Sequence, residues 1–203
     1  TQQAPEHNCV IGRSEPVFLH SGEYFHQVTD IEIPSHGFPF RLVRTYLSQV
    51  LAKGSLGYSW RHNFEEILVE EDNGDVTIYT GDLRIHRWIY EGEKKTWNPP
   101  PGVYAVLERN ADGSWTVHQR YGWKKHYRKD GKLYAIEDPC GNRQVLEYDD
   151  RGLLREVIDT LGRKIEFFYN DEGLLVEVRD FAGRSFLYEY YGENEKGGSK
   201  GDL

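Results

Sequence analysis

The chain has 203 residues and a formal charge of −8, with 38% hydrophobic and 14% aromatic residues, among them 14 Tyr and 5 Trp. That length holds one large or two small domains with a real core, and the aromatic richness is a β-sheet composition in which broad rings cover pleated faces. The acidic balance argues against a nucleic-acid partner, which needs a concentrated basic surface; no apolar run of about 18 residues exists to span a membrane, and nothing at the N-terminus reads as a signal peptide.

Residues 1–12 are polar and aperiodic and read as a lead-in or linker. A β-rich segment, 13–110, follows. Short strands are expected over Pro16–His20, Tyr24–Ile33 and Phe38–Leu47, each punctuated by turns. Trp60, after the glycine-rich loop 48–59, is expected to anchor that loop by packing into a core. Phe64–Glu71 and Val76–Thr80 flank Asp72-Asn73-Gly74-Asp75, and Asn-Gly between two strand-like runs marks a hairpin. The acidic residues of that turn lack the spacing and closing Glu of a calcium loop. Leu83–Tyr90 and Val103–Leu107 are further strands, and the proline-rich stretch 91–101 between them reads as an exposed loop. Trp123-Lys124-Lys125-His126-Tyr127-Arg128 is the one basic, aromatic-interleaved cluster; it reads as a strand whose lysines are solvated on the outer face.

From 111 to 191 one pattern recurs every 21 residues. Tyr127, Tyr148, Tyr169 and Tyr190 keep that spacing, and so do Gly131, Gly152 and Gly173, then Asp138, Asp159 and Asp180, then Gly141, Gly162 and Gly183. A fixed period of this length marks a repeat architecture. Within a copy such as Leu153–Gly173, two strands alternate with four-residue pieces that begin with Asp or Asn and end with Gly, the preference of a type I turn. Ile165, Phe167 and Tyr169 alternate as in a strand with one buried face. Each copy is therefore a hairpin plus a link. A lone hairpin is marginal in water, so the copies should stack edge to edge. The fold class is all-β: antiparallel hairpins in a continuous twisted repeat sheet, behind an N-terminal β-rich segment. Tyr190 is followed by no turn glycine where the next is due, and 192–203, rich in Gly, Ser and Lys, reads as a flexible tail.

These residues resemble the Rhs (rearrangement hot spot) family and its YD repeats, on Gly152-Leu153-Leu154, Asp159-Thr160-Leu161-Gly162-Arg163, Phe167-Phe168-Tyr169 and the pair Tyr148-Asp149. The N-terminal half is similar to the segment such proteins carry ahead of their repeats, in Pro16-Val17, Thr29-Asp30, Arg44-Thr45-Tyr46-Leu47-Ser48 and Leu56-Gly57-Tyr58-Ser59-Trp60. The resemblance implies a non-catalytic structural part of a polymorphic toxin: a piece of the sheet that curls into a shell around a C-terminal toxin domain, exported from a bacterial cell by machinery such as type VI secretion. It implies as partners the remainder of the parent chain, its toxin cargo, and a secretion chaperone or spike protein. Exposed sheet edges would favour self-association.

No enzyme signature is present. His20, His26, His36, His62, His86, His118 and His126 occur singly without metal-ligand spacing and read as surface or sheet-face residues. No nucleophile elbow, phosphate loop or dinucleotide fingerprint occurs, so no catalytic residue, metal site or cofactor is assigned, and the ligand-binding residues are unknown. Cys9 and Cys140, far apart and outside any CxxC spacing, read as free thiols. The absence of Met suggests a processed piece of a longer protein. Two other classes stay open: a carbohydrate-binding or adhesive module, motivated by abundant Tyr and Trp, and an independent hydrolase.

Overall fold

The computed structural model describes residues 17–18, 22–193 and 201–203. The lead-in with Cys9, Pro16, His20 and most of the expected tail lie outside the described residues. Near the N-terminus come Val17–Phe18 (β1), Glu23–Ile33 (β2), Phe40–Leu47 (β3), Lys53–Gly54 (β4), Gly57–Tyr58 (β5) and Trp60–His62 (β6). Strands β1, β2, β3 and β6 form a four-stranded antiparallel sheet in that order, while β4 and β5 pair as a small hairpin.

The rest of the chain is one meander. Ile67–Glu70 (β7), Val76–Tyr79 (β8), Ile85–Glu91 (β9), Thr96–Asn98 (β10), Ala105–Arg109 (β11), Trp115–Gln119 (β12) and Lys124–Tyr127 (β13) lead into Leu133–Glu137 (β14) and Arg143–Tyr148 (β15). Leu154–Ile158 (β16), Lys164–Tyr169 (β17), Leu175–Arg179 (β18) and Ser185–Leu187 (β19) complete it. Each strand pairs with its chain neighbours, giving a 13-stranded antiparallel sheet from β7 to β19. The sheet therefore begins at Ile67, well ahead of the 21-residue period. Every strand-to-strand ladder of the meander is local, which avoids the loop-closure cost of joining distant strands, and a single isolated bridge, Ile67 with Lys132, joins distant positions among the described residues.

The proline-rich stretch 91–101 differs from its expectation. Thr96–Asn98 is a strand, with Trp97 paired between Tyr90 on β9 and Leu107 on β11. The prolines lie just beyond it, at 99–101, so they end the strand without breaking a ladder. Trp97 packs edge-on to Trp115 with ring centroids 4.9 Å apart, and its indole N–H donates to the Gly74 carbonyl at 2.9 Å.

The turns follow a single plan. At 138–141, 159–162 and 180–183 the glycine N–H donates back to the carbonyl of the first Asp, at 3.1, 2.9 and 2.9 Å. Gly141, Gly162 and Gly183 have φ of 85°, 77° and 79°, the left-handed region that L side chains avoid. The Asp carboxylate fastens the loop: Asp159 accepts from the Leu161 and Arg163 N–H groups, both at 2.9 Å, and from Arg163 Nε at 2.8 Å. Asp180 does the same with Ala182 and Arg184. Burial pushes the Asp159 and Asp180 carboxyls up, but the bonds from Arg163 and Arg184 override it and hold both below the ordinary value.

Register puts Val117, Leu146, Val157, Ile165, Phe167 and Val178 on one face of the long sheet, where they join Ile31, Ile33, Phe40, Leu42 and Phe64 of the N-terminal part in one core cluster. Phe167 meets Phe64 edge-on at 6.5 Å, and Phe64 stacks on Phe40 at 5.5 Å. Trp60 packs against the same cluster, as expected of a loop anchor. The opposite face carries ionic pairs such as Glu137 with Lys124 and Arg143, at 2.9 and 2.5 Å. Lys124, then Arg143, hold the Glu137 carboxyl down to about 2.

The end of the array also departs from expectation. Tyr191 N–H donates to Asp202 O at 2.9 Å, and Gly201 N–H to Tyr191 O at 2.8 Å. The same two bonds close the link after Tyr127, where Arg128 N–H donates to Lys132 O and Gly131 N–H to Arg128 O. Gly201, at φ 85°, thus takes the place of Gly131, Gly152 and Gly173, at 81°, 80° and 78°, and Leu203 takes that of Leu133, Leu154 and Leu175. The missing turn glycine is present after a longer link: nine residues separate Tyr191 from Gly201, where two separate Arg128 from Gly131. Gly201–Leu203 is docked, not free, and Leu203 packs against the core.

Two predictions follow from the turns. A Cβ on Gly162 would meet nothing, whereas one on Gly131 would land on the Leu68 carbonyl. Gly162→Ala should cost about 1–2 kcal/mol of backbone strain, and Gly131→Ala clearly more, in urea unfolding; equal losses would contradict the packing. The turn carboxylates and Glu137 titrate below their ordinary values when folded, so their contribution is complete above those values and is lost as pH falls through the folded ones. Stability should be flat above about pH 6.5; below that it should begin to fall, because burial holds His62, His86 and His126 below their ordinary value and the unfolded chain takes up those protons first, and it should fall further as pH drops from 4.5 towards 2. Asp159→Asn should flatten that decline in urea midpoints measured against pH.

Candidate functional site

The repeat positions separate into two rows, one at each end of the hairpins. Asp138, Gly141, Asp159, Gly162, Asp180 and Gly183 make the row of tight turns. Tyr127, Gly131, Tyr148, Gly152, Tyr169, Gly173 and Tyr190 make the other, at the links between hairpins. A β-bulge falls at Tyr127, Tyr148 and Tyr169, where the ladder slips by one residue so that each tyrosine faces Leu133, Leu154 or Leu175. A bulge leaves ladder groups without their regular partner, so each junction offers backbone polar atoms for something else to satisfy.

The N-terminal part grips both rows. At the turn row, the β2–β3 connection docks on two hairpins: Ser35 Oγ donates to Asp159 at 3.2 Å, Arg163 Nη2 to Pro34 O at 2.6 Å and Gln144 Nε2 to Pro39 O at 3.0 Å. At the junction row, the segment 55–68 crosses the bulges. Leu68 N–H donates to Gly131 O at 2.8 Å and Leu133 N–H to Glu66 O at 3.4 Å, while Leu175 N–H donates to Ser55 O at 2.7 Å. The first and third junctions are thereby capped by crossing-segment carbonyls. No such bond joins Leu154, at the middle junction, to the crossing segment among the described residues.

Under the first junction lies a buried ion pair. The Glu66 side chain is 4% exposed and accepts from Lys125 Nζ at 2.6 Å and from the Tyr127 hydroxyl. Burial and then Glu66 push the Tyr127 hydroxyl far above its ordinary range, so it stays protonated and donating. Lys125 is therefore not a solvated outer-face lysine. Register pairs it with Val117 and Ile136, on the core side, while Lys124 takes the outer face with Glu137. The sequence pattern could not separate the two, because a lysine with a distant carboxylate partner looks in sequence like one facing water.

The other tyrosine hydroxyls are not equivalent. Those of Tyr148 and Tyr190 donate to Leu133 O and Leu175 O, both at 2.6 Å. The hydroxyl of Tyr169 has no hydrogen-bond partner among the described residues and lines a cleft of about 200 Å³. The cleft lies over the middle junction, between Leu154 and the crossing segment. His62, expected at a surface or sheet face, is 1% exposed and lines it. Phe64 N–H donates to His62 Nδ1 at 3.3 Å, which leaves the proton on Nε2. That atom has no hydrogen-bond partner; Glu65 Oε2 lies 3.9 Å away. Burial holds the imidazole below its ordinary value, so it is neutral. Ser55 Oγ also lacks a partner here. The residues that make this cleft were missed in the sequence because Ser55, His62 and Tyr169 are 114 positions apart end to end and share no motif.

Elsewhere the structure accounts for the candidates in turn. Asp75, in the Asn-Gly hairpin, is taken by Arg87 at 3.0 Å and the Tyr90 N–H at 2.8 Å. Cys140 is an exposed free thiol at the tip of a turn. No helix of the described residues is long and apolar enough to cross a membrane.

The ion pair under the first junction gives a sharp expectation. Lys125→Met should leave Glu66 uncompensated and cost about 3–5 kcal/mol in urea unfolding, whereas Lys125→Met with Glu66→Leu should recover most of the loss. A single-variant loss below about 1 kcal/mol, the value of an exposed pair, would contradict burial of the charge.

Comparison with known proteins places these features. Residues 14–88 match a family model described as a domain of unknown function, DUF6531, and residues 148–185 match the RHS Repeat model. The tRNA3(Ser)-specific nuclease WapA of Bacillus spizizenii is 29% identical over 126 residues, 62% of this chain and 5% of that protein. The probable deoxyribonuclease RhsA of Dickeya dadantii is 28% identical over 155 residues, 70% of this chain and 10% of that protein. The chain thus spans a tenth or less of the length of these relatives. With an RHS Repeat match on the bulged hairpins and the DUF6531 match ahead of them, the chain is similar to proteins of the Rhs/YD-repeat family.

Proposed function

We propose that this segment is a non-catalytic, structural part of an Rhs polymorphic toxin, forming part of a shell wall that encloses and delivers a C-terminal toxin domain. The observation that carries this reading is the re-entry of Gly201-Asp202-Leu203 into the repeat register, which lays out the long sheet for extension beyond β19. A sheet that grows by identical junctions makes a wall whose extent is set by the number of copies. The small share of the nuclease relatives that the chain matches supports a nuclease centre elsewhere in such proteins. The aromatic residues that motivated a carbohydrate-binding alternative are in good part spent on packing: Trp88, Trp115 and Tyr127 are buried. Export, with a chaperone or spike protein as partner, belongs to the same proposal.

The test uses the parent protein. With residues 17–203 deleted, and separately with Lys125→Met, the C-terminal domain should become sensitive to added protease and its export should fall. Unchanged protection and export in both would overturn the structural role. Hydrolysis of tRNA or DNA by the isolated chain would overturn the non-catalytic one.

A further inference from the structure

The cleft over the middle junction breaks the symmetry of the array, and the break is chemically coherent. At the first and third junctions a crossing-segment carbonyl accepts the leucine N–H, from Leu133 and from Leu175. At the flanking positions the tyrosine hydroxyl also finds a carbonyl. Between them the crossing segment withholds its carbonyl from Leu154. In the same place Tyr169 OH, His62 Nε2–H and Ser55 Oγ–H are left without acceptors, the last two on side chains 1% and 8% exposed. Buried donors without partners are costly, and two of them, on His62 and Ser55, meet the half-buried Tyr169 hydroxyl in one cavity.

The charges around the cleft point the same way. Glu65 is satisfied by the Ser55 and His62 backbone N–H groups at 2.7 and 3.1 Å, and Glu66 by Lys125 and Tyr127. Arg61 lines the cleft with no carboxylate partner among the described residues, and Lys132 donates to the Gly152 carbonyl at 3.0 Å with its ammonium 5.1 Å from the centre of the Tyr148 ring. What remains unspent is a set of donors and the Arg61 guanidinium, with the Glu65 carboxylate 3.9 Å from His62 Nε2, over apolar walls from Phe64 and Leu154.

We propose that the cleft is a binding site for a carboxylate group, whose oxygens replace the missing carbonyl by accepting from Ser55, His62 and Tyr169 beside Arg61. The carboxylate comes either from a small free acid or from an acidic side chain of a polypeptide. The site does not depend on the shell reading, since it is built wholly within this chain.

Two probes separate the sources: sodium acetate, and N-acetyl-aspartate N-methylamide as a side-chain mimic, each titrated against chloride at matched ionic strength. The readout is the amide shift of Leu154 and the imidazole nitrogen shifts of His62 by NMR. Saturable shifts with acetate assign a free acid, and saturable shifts with the aspartate derivative alone assign a side chain. Ser55→Ala and Tyr169→Phe should each weaken the binding on the order of tenfold, with Tyr104→Phe, at an exposed site, unchanged. Two variants guard against one failing to fold, and both are to be checked by thermal unfolding. No saturable shift with either probe, or shifts unaffected by both variants, would overturn the proposal and leave the cleft to water.

Discussion

The crossing segment between Ser55 and Leu68 is the constraint on which the two layers depend. A stack of hairpins with a bulge at every link would present a column of interrupted ladders along one end, and interrupted ladders fray. The segment runs over that column and takes up the leucine N–H groups of the first and third junctions. Its Glu66 then reaches beneath the first to Lys125 and Tyr127. A carboxylate so deeply buried is tolerable only with its cation and its donor in place, so the pair fixes the register between crossing segment and sheet. The β2–β3 connection meanwhile holds the turn ends through Asp159, Arg163 and Gln144. The N-terminal layer is thereby a clasp across the width of the sheet, with the apolar cluster of Phe40, Phe64 and Phe167 between its two grips.

What could be read in the amino-acid order, and what could not, follows from the range of the interactions. The turns at Asp138, Asp159 and Asp180 were legible because each is closed within five residues, by an Asp that fastens its own loop and a glycine that adopts a left-handed φ. The alternation of Ile165, Phe167 and Tyr169 announced a one-faced strand for the same local reason. Lys125 and Glu66 lie 59 positions apart, and nothing local marks either as buried. Thr96–Asn98 was hidden by its prolines, since a three-residue strand is too short to show a period. Gly201 was hidden by the length of the link before it. Fixed spacing finds repeats only while the spacing holds, whereas the hydrogen bonds from Tyr191 report the same junction regardless of loop length.

The arrangement also bears on how such a protein grows. Every added hairpin meets the previous one through the same bulge, tyrosine and glycine, so the sheet extends without new design at each step. The N-terminal layer adds what the repeats lack, a second face for the first hairpins to bury against. A single layer with one apolar face needs a cover, and here the cover is built before the array begins. The crossing segment makes no bond to the Leu154 N–H among the described residues, and the unpaired donors collect there, beside Leu154 and Tyr169.

The central claim is that the crossing segment and the repeat junctions form one cooperative unit. Native-state hydrogen exchange at the amides of Leu68, Leu133 and Leu175 tests it most directly. The account predicts that all three exchange only through the same global opening as Val157 and Ile165 in the core strands. Exchange at the three junction amides through separate, low-energy local openings, with the core strands still protected, would contradict it.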